Sequence, residues 1–224
     1  MTQHTRQHAA NIITLSRILM VFIVVILFHY GFWERVAAVL LTIVVIYLDS
    51  LDGLIARKLG VASEFGALFD ITGDRIVEHV YWIYFSTVGI VSVWVPIIFI
   101  SRSFIVDTLR SVAYAKEGKT PFGEKTMMKS PISRFLTASP FSRTLYAVGK
   151  VIAFVLLGII LTIQEGFEKV SPWITPQLFG DLILFTEIIV WVVVVMNLLR
   201  GIPVIIDGRF YLFERQYPKS LKDS

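Results

Sequence analysis

The sequence predicts an all-α, polytopic membrane protein with about six transmembrane helices and both termini in the cytoplasm. Three observations carry that reading. Of 224 residues, 55% are hydrophobic and only 17% charged, and the mean hydropathy is +0.72. Apolar runs such as ILMVFIVVILF (18–28) and TEIIVWVVVVMNLL (186–199) recur along the chain. Lysine and arginine are also distributed unevenly between alternate connections. A soluble domain carries more charge and fewer such runs. Spans of roughly 20 residues leave room for about six helices and little else.

Hydropathy places the first helix at about 11–32, after a leader, MTQHTRQHAA, at 1–10. The segment is long, its leader holds one arginine, and no small-x-small cleavage site follows, so it reads as retained. The second helix lies at about 35–58 and the third at about 65–89, joined by a short turn around Lys58–Glu64. The fourth spans about 93–115, the fifth about 142–164 and the sixth about 180–205. One membrane domain therefore covers 11–206, and a mixed-charge tail occupies 207–224.

Connections near 33–35, 88–94 and 165–179 contain only Arg35 and Lys169 as basic residues; the other nineteen of 21 lie toward the opposite side. By the positive-inside rule, both termini and the segments near 59–64 and 116–141 face the cytoplasm. The segment KEGKTPFGEKTMMKSPISRFLTASPFSR (116–143) is basic and rich in Pro, Ser and Thr. It reads as a surface segment against anionic head groups, with a short interfacial helix. The net charge of +4 thus points to a membrane face and not to nucleic acid. With no cysteine, disulfides and thiolate metal sites are excluded.

Against this apolar background, YLDSLDGLIARKLGVASEFGALFDITGDR (47–75) carries four aspartates. Asp49 and Asp52 are three apart and share a helical face; Asp70 and Asp74 are four apart and share one more closely. The first pair ends the second helix and the second pair begins the third, so a hairpin brings all four to one level at the cytoplasmic end. Such carboxylates repel one another unless a cation intervenes. An all-oxygen donor set favours hard divalent ions, and two of them can bridge a diphosphate. Gly53 follows Asp52, and Gly66 lies one turn before Asp70. Because glycine within a helix costs about 1 kcal/mol relative to alanine, both suggest close approach by a backbone or ligand. Arg57 can pair with phosphate oxygens. A proton or cation pathway in a transporter is the competing explanation of intramembrane acids.

Asp49-x2-Asp52-Gly53-x2-Ala56-Arg57-x8-Gly66-x3-Asp70-x3-Asp74 resembles the full signature of the CDP-alcohol phosphotransferase family. The resemblance implies a divalent-metal-dependent enzyme of membrane phospholipid synthesis. Such an enzyme transfers a phosphatidyl group from CDP-diacylglycerol to a small alcohol and releases CMP. It implies two ions, Mg²⁺ or Mn²⁺, held by Asp49, Asp52, Asp70 and Asp74. Asp74 would also be the catalytic general base, with Glu78, one turn on and outside the signature, as the next candidate. Gly53, Ala56, Arg57 and Gly66 would contact the CDP moiety. NIITLSR is similar to the family's Asn-x2-Thr-x2-Arg pattern and adds Asn11 and Thr14 near the nucleotide; a helix N-cap is the other explanation of Asn11.

The acceptor is read from the remaining cations. Arg102 and Arg110, two turns apart with Asp107 between them, and Arg143 form a basic set suited to an acceptor phosphate. Lys150 and Arg200 read instead as snorkelling to head groups. RSFIVDTLR resembles the Arg-x7-Arg segment of the phosphatidylglycerophosphate synthase subgroup, which implies glycerol 3-phosphate as acceptor. Ser103 stands where that subgroup usually has glutamate, and Arg143-Thr144 replaces its Gly-Lys-x-Lys-Thr. Inositol phosphate, serine and inositol are the alternative acceptors. The chain reads as a bacterial inner-membrane protein whose active site, by the positive-inside rule, faces the cytoplasm, and it is compatible with a homodimer.

Overall fold

The computed structural model describes residues 3–59, 64–117 and 128–213, with side chains over 11–48, 66, 68–115 and 128–209. Every regular element among the described residues is a helix: α1 (Gln3–Leu27), α2 (Phe32–Leu59), α3 (Glu64–Thr87), α4 (Trp94–Glu117), α5 (Pro131–Ala138), α6 (Pro140–Glu165), α7 (Phe167–Val170) and α8 (Pro176–Phe213). The six long helices fall on the six predicted segments. By length and apolar composition, α6 and α8 are candidate membrane spans, and Asn11–Leu27 of α1 is a shorter apolar stretch. α3 carries Asp70, Asp74, Arg75 and Glu78, and α4 carries Arg102, Asp107 and Arg110. Those charges make both helices less apolar than α6 and α8.

Two differences from the sequence reading matter. α1 begins at Gln3, so the predicted leader is largely helical and Asn11 lies inside the helix, not at its N-cap. α8 continues through Pro203 to Phe213, beyond the expected end.

The chain forms two compact units. The first comprises residues 1–99 and 147–194; the second comprises 100–146 and 195–224. In the first unit α1 packs on α2 and α3. Its core is aromatic: Trp82 lies 4.9 Å from Phe99 and 4.7 Å from Phe154, and Tyr81 stacks on Phe154 at 4.8 Å between ring centroids. Rings at these separations add specific edge and offset contacts to the area they bury. The Tyr81 hydroxyl donates to Thr42 Oγ1 at 3.1 Å, so α2 and α3 are joined by a buried polar bond as well. Arg35 fixes the start of α2 by donating to the carbonyls of Tyr30 and Leu161 and pairing with Glu165 at 2.9 Å.

In the second unit Val106 and Ala113 of α4 pack with Met128 and with Val204 and Ile205 of α8. The short helix expected in the basic connection is α5. Ser130 caps it by accepting from the Ser133 amide, and Pro131 opens it, a position where proline's missing N–H costs nothing. Ile132 and Phe135 on α5 are exposed, as an interfacial helix requires.

Candidate active site

Asp70 and Asp74 occupy successive turns of α3, and their side chains are 44% and 47% exposed. Behind them is Arg17 of α1, almost fully buried. Its Nη2 donates to Asp74 Oδ1 at 2.8 Å, and its Nη1 lies 3.6 Å from Asp70 Oδ1. Each carboxylate thus faces a buried guanidinium while about half of its side-chain surface remains open.

This pairing depends on a close helix approach. A Cβ added at Gly73 would sit 2.5 Å from the Thr14 methyl carbon, so only glycine lets α1 come near enough on that turn. Thr14 is itself buried. Sequence reasoning put Thr14 near the nucleotide; its methyl is part of the α1–α3 contact. The local pattern gives Arg17, the last residue of NIITLSR, no role. The partner 57 residues away could not be read from local spacing.

The remaining signature residues, Asp49, Asp52, Gly53, Ala56 and Arg57, lie in the final turns of α2, and Gly66 in the first turn of α3. The side chains of the five on α2 and residues 60–63, the expected turn, lie outside the described residues. Among the described residues no group of three or more His, Cys, Asp or Glu side chains could hold a metal. Asp70 and Asp74 supply half of the expected all-oxygen set. Their composition and open surfaces fit a hard divalent ion.

One turn beyond Asp74, Glu78 is nearly fully buried. It accepts from Arg75 Nη1 at 3.2 Å and pairs with Lys150 Nζ at 3.2 Å. The expectation that Lys150 snorkels is therefore corrected: α6 delivers it to a buried carboxylate. Two cations already engage Glu78, which leaves it poorly suited to take a proton from an incoming hydroxyl.

The expected acceptor residues belong to the second unit. Arg102 is buried and crosses Gly201, where an added Cβ would lie 2.7 Å from the Arg102 Cγ and Nε. Arg110 pairs with Asp107 at 3.5 Å. Arg143 is exposed. Arg200 corrects the second snorkelling expectation. It is buried, donates to the carbonyls of Leu136 and Thr137 and to Ser142 Oγ, and lies over the Tyr146 ring. All these partners are neutral, and the positive charges of Arg102 and Arg143 reach it.

Comparison with known proteins agrees with the signature. A family model for the CDP-alcohol phosphatidyltransferases matches residues 7–175. A probable phosphatidylglycerophosphate synthase from Mycobacterium tuberculosis H37Rv is 30% identical over 169 residues, covering 72% of this chain and 79% of the relative. A CDP-diacylglycerol–glycerol-3-phosphate 3-phosphatidyltransferase from Rickettsia typhi is 25% identical over 166 residues, 70% of this chain and 92% of its own. The Arabidopsis thaliana protein of that name, numbered 2, is 33% identical over 120 residues, 49% and 52% of the two chains. The matched region holds the complete aspartate signature together with the helices that present it, and the chain belongs to the CDP-alcohol phosphatidyltransferase family.

Proposed function

We propose that this protein transfers the phosphatidyl group of CDP-diacylglycerol to glycerol 3-phosphate, releasing CMP. The observation that carries the proposal is the paired presentation of Asp70 and Asp74: one helical face, half open, backed by a buried cation. Family membership turns that geometry into a transferase site, and a cation-coupled transporter is thereby set aside. The names of the Rickettsia and Arabidopsis relatives specify glycerol 3-phosphate, which favours it here over inositol phosphate, inositol or serine.

In this reading the acceptor hydroxyl oxygen attacks the phosphatidyl phosphorus. A new P–O bond forms, the P–O bond to CMP breaks, and Asp74 takes the hydroxyl proton. Asp49, Asp52, Asp70 and Asp74 would hold two divalent ions, Mg²⁺ or Mn²⁺, which when bound neutralise charge developing on the diphosphate. Gly53, Ala56, Arg57, Gly66 and Asn11 are assigned to the CDP moiety, with Arg57 donating to its phosphates, while Thr14, buried against Gly73, is assigned to the α1–α3 contact. Arg102, Arg110 and Arg143 are assigned to the acceptor phosphate. The buried Arg200, whose hydrogen-bond partners among the described residues are all neutral, supports a phosphorylated acceptor in preference to a neutral alcohol.

The active face is assigned to the cytoplasmic side, from the uneven distribution of lysine and arginine. The test is CMP release by purified protein in detergent micelles with CDP-diacylglycerol and a panel of alcohols. Glycerol 3-phosphate should be the preferred acceptor, chelator should abolish turnover, and Mg²⁺ or Mn²⁺ should restore it. Full turnover in metal-free buffer would overturn the metal assignment, and preference for glycerol, inositol or serine would overturn the acceptor.

A further inference from the structure

We propose that Arg17 is a positioning residue. Its buried guanidinium holds Asp74, and more loosely Asp70, in the orientation that turnover requires, at a cost in metal affinity. The inference rests on the transferase reading above but concerns a residue that the signature does not contain. Arg17 is 2% exposed on α1, which packs directly against α3. The 2.8 Å bond to Asp74 Oδ1 fixes that oxygen at the protein wall. With one oxygen tied to α1, the carboxylate no longer rotates freely.

A charge-assisted bond of this length is among the stronger side-chain contacts. A base held in the reacting geometry avoids the loss that accompanies a freely rotating carboxylate. The same guanidinium is a fixed positive charge beside two expected metal ligands, so it opposes the ions electrostatically. Those two consequences have opposite signs and can be measured separately. A residue that merely supported the fold would not separate them.

Gly73 supplies an independent handle, because its missing methyl group is what admits Thr14. In Gly73→Ala the new Cβ would meet the Thr14 methyl, and α1 must shift and carry Arg17 with it. Serine at 14 lacks that methyl but keeps the hydroxyl, so Thr14→Ser should make room again.

The experiment uses the full chain in detergent micelles. Mn²⁺ binding is measured by electron paramagnetic resonance with the metal alone, and CMP release is measured in parallel. Arg17→Gln should lower kcat by about tenfold to a hundredfold while the KM for CDP-diacylglycerol changes by less than about threefold. Its Mn²⁺ affinity should be at least that of the wild type and up to about thirtyfold tighter. Arg17→Lys, which keeps a charge but loses the planar fork, should fall between the two in kcat and read the same way if the glutamine variant does not accumulate. Gly73→Ala should reproduce the loss of kcat with Arg17 still present, and the Gly73→Ala/Thr14→Ser double variant should recover most of it.

Wild-type kcat in Arg17→Gln overturns the proposal. So does Mn²⁺ affinity falling in step with kcat, which would make Arg17 a support for the whole site. A rise of more than about tenfold in the CDP-diacylglycerol KM at unchanged kcat would assign Arg17 to the donor and likewise overturn it. Failure of Thr14→Ser to rescue Gly73→Ala counts against the helix contact on which the argument stands. If the wild type binds Mn²⁺ but releases no CMP, the transferase reading fails, while tighter Mn²⁺ binding by Arg17→Gln still supports the assignment.

Discussion

Asp74 touches a buried arginine on one side and is 47% exposed on the whole, whereas Glu78, one turn later, is enclosed by Arg75 and Lys150. Two carboxylates on one helical face thus have different chemistry available to them. Asp74→Asn should lower kcat by about 10²–10⁴, the usual contribution of a general base, with donor binding largely kept; CMP-release kinetics over a range of CDP-diacylglycerol concentrations would check this. A similar split is expected at the acceptor. If Arg110 holds the acceptor phosphate as proposed, Arg110→Ala would remove a charge-assisted contact of about 1.5–3 kcal/mol, so the KM for glycerol 3-phosphate should rise about tenfold to a hundredfold. The donor KM should stay near its wild-type value, and Arg57→Ala should show the reverse pattern. The shared face of Asp70 and Asp74 was legible because their four-residue spacing stands out in an otherwise apolar chain. Arg17, Lys150 and Arg200 were not, because each finds its partner across 57 or more residues, and no local pattern encodes that meeting.

Among the helices, α3 is held from two directions. α1 is joined to it by Arg17 and the Thr14–Gly73 contact, and α6 by Lys150 and Glu78. Removing one partner of a buried ion pair leaves its mate uncompensated, which costs more than the pair itself contributes. Glu78→Ala should therefore destabilise the protein by about 3 kcal/mol, a cost held down because both cations keep some solvent contact. A lower thermal midpoint in detergent, together with partial recovery in the Glu78→Ala/Lys150→Met double variant, would support this account; an unchanged midpoint would refute it. The extents of α2, α3, α4 and α6 were readable from hydropathy to within a few residues. The start of α1 was not, since MTQHTRQHAA lacks the apolar periodicity by which helices are recognised and offers no stop signal either.

For the molecule as a whole, the basic residues give the clearest expectation of orientation. The sequence has no cysteine, so single cysteines can report sidedness without background. In sealed inverted vesicles, Thr2→Cys should react with an impermeant maleimide from outside, whereas Trp173→Cys should react only after the vesicles are opened. The opposite pattern would reverse the assigned orientation.

Arg200 has one further consequence. It donates to carbonyl and hydroxyl oxygens and lies over a ring face, while two other arginines add to the positive field around it. Neutral dipoles do not cancel a net charge, so this part of the protein should attract an anion from solution, and on the proposed assignment that anion would compete with the acceptor. Sulfate and inorganic phosphate suit a guanidinium cluster better than chloride does. Buffer composition then becomes a kinetic variable: phosphate should slow the enzyme by competing with glycerol 3-phosphate, and chloride at equal ionic strength should do so far less.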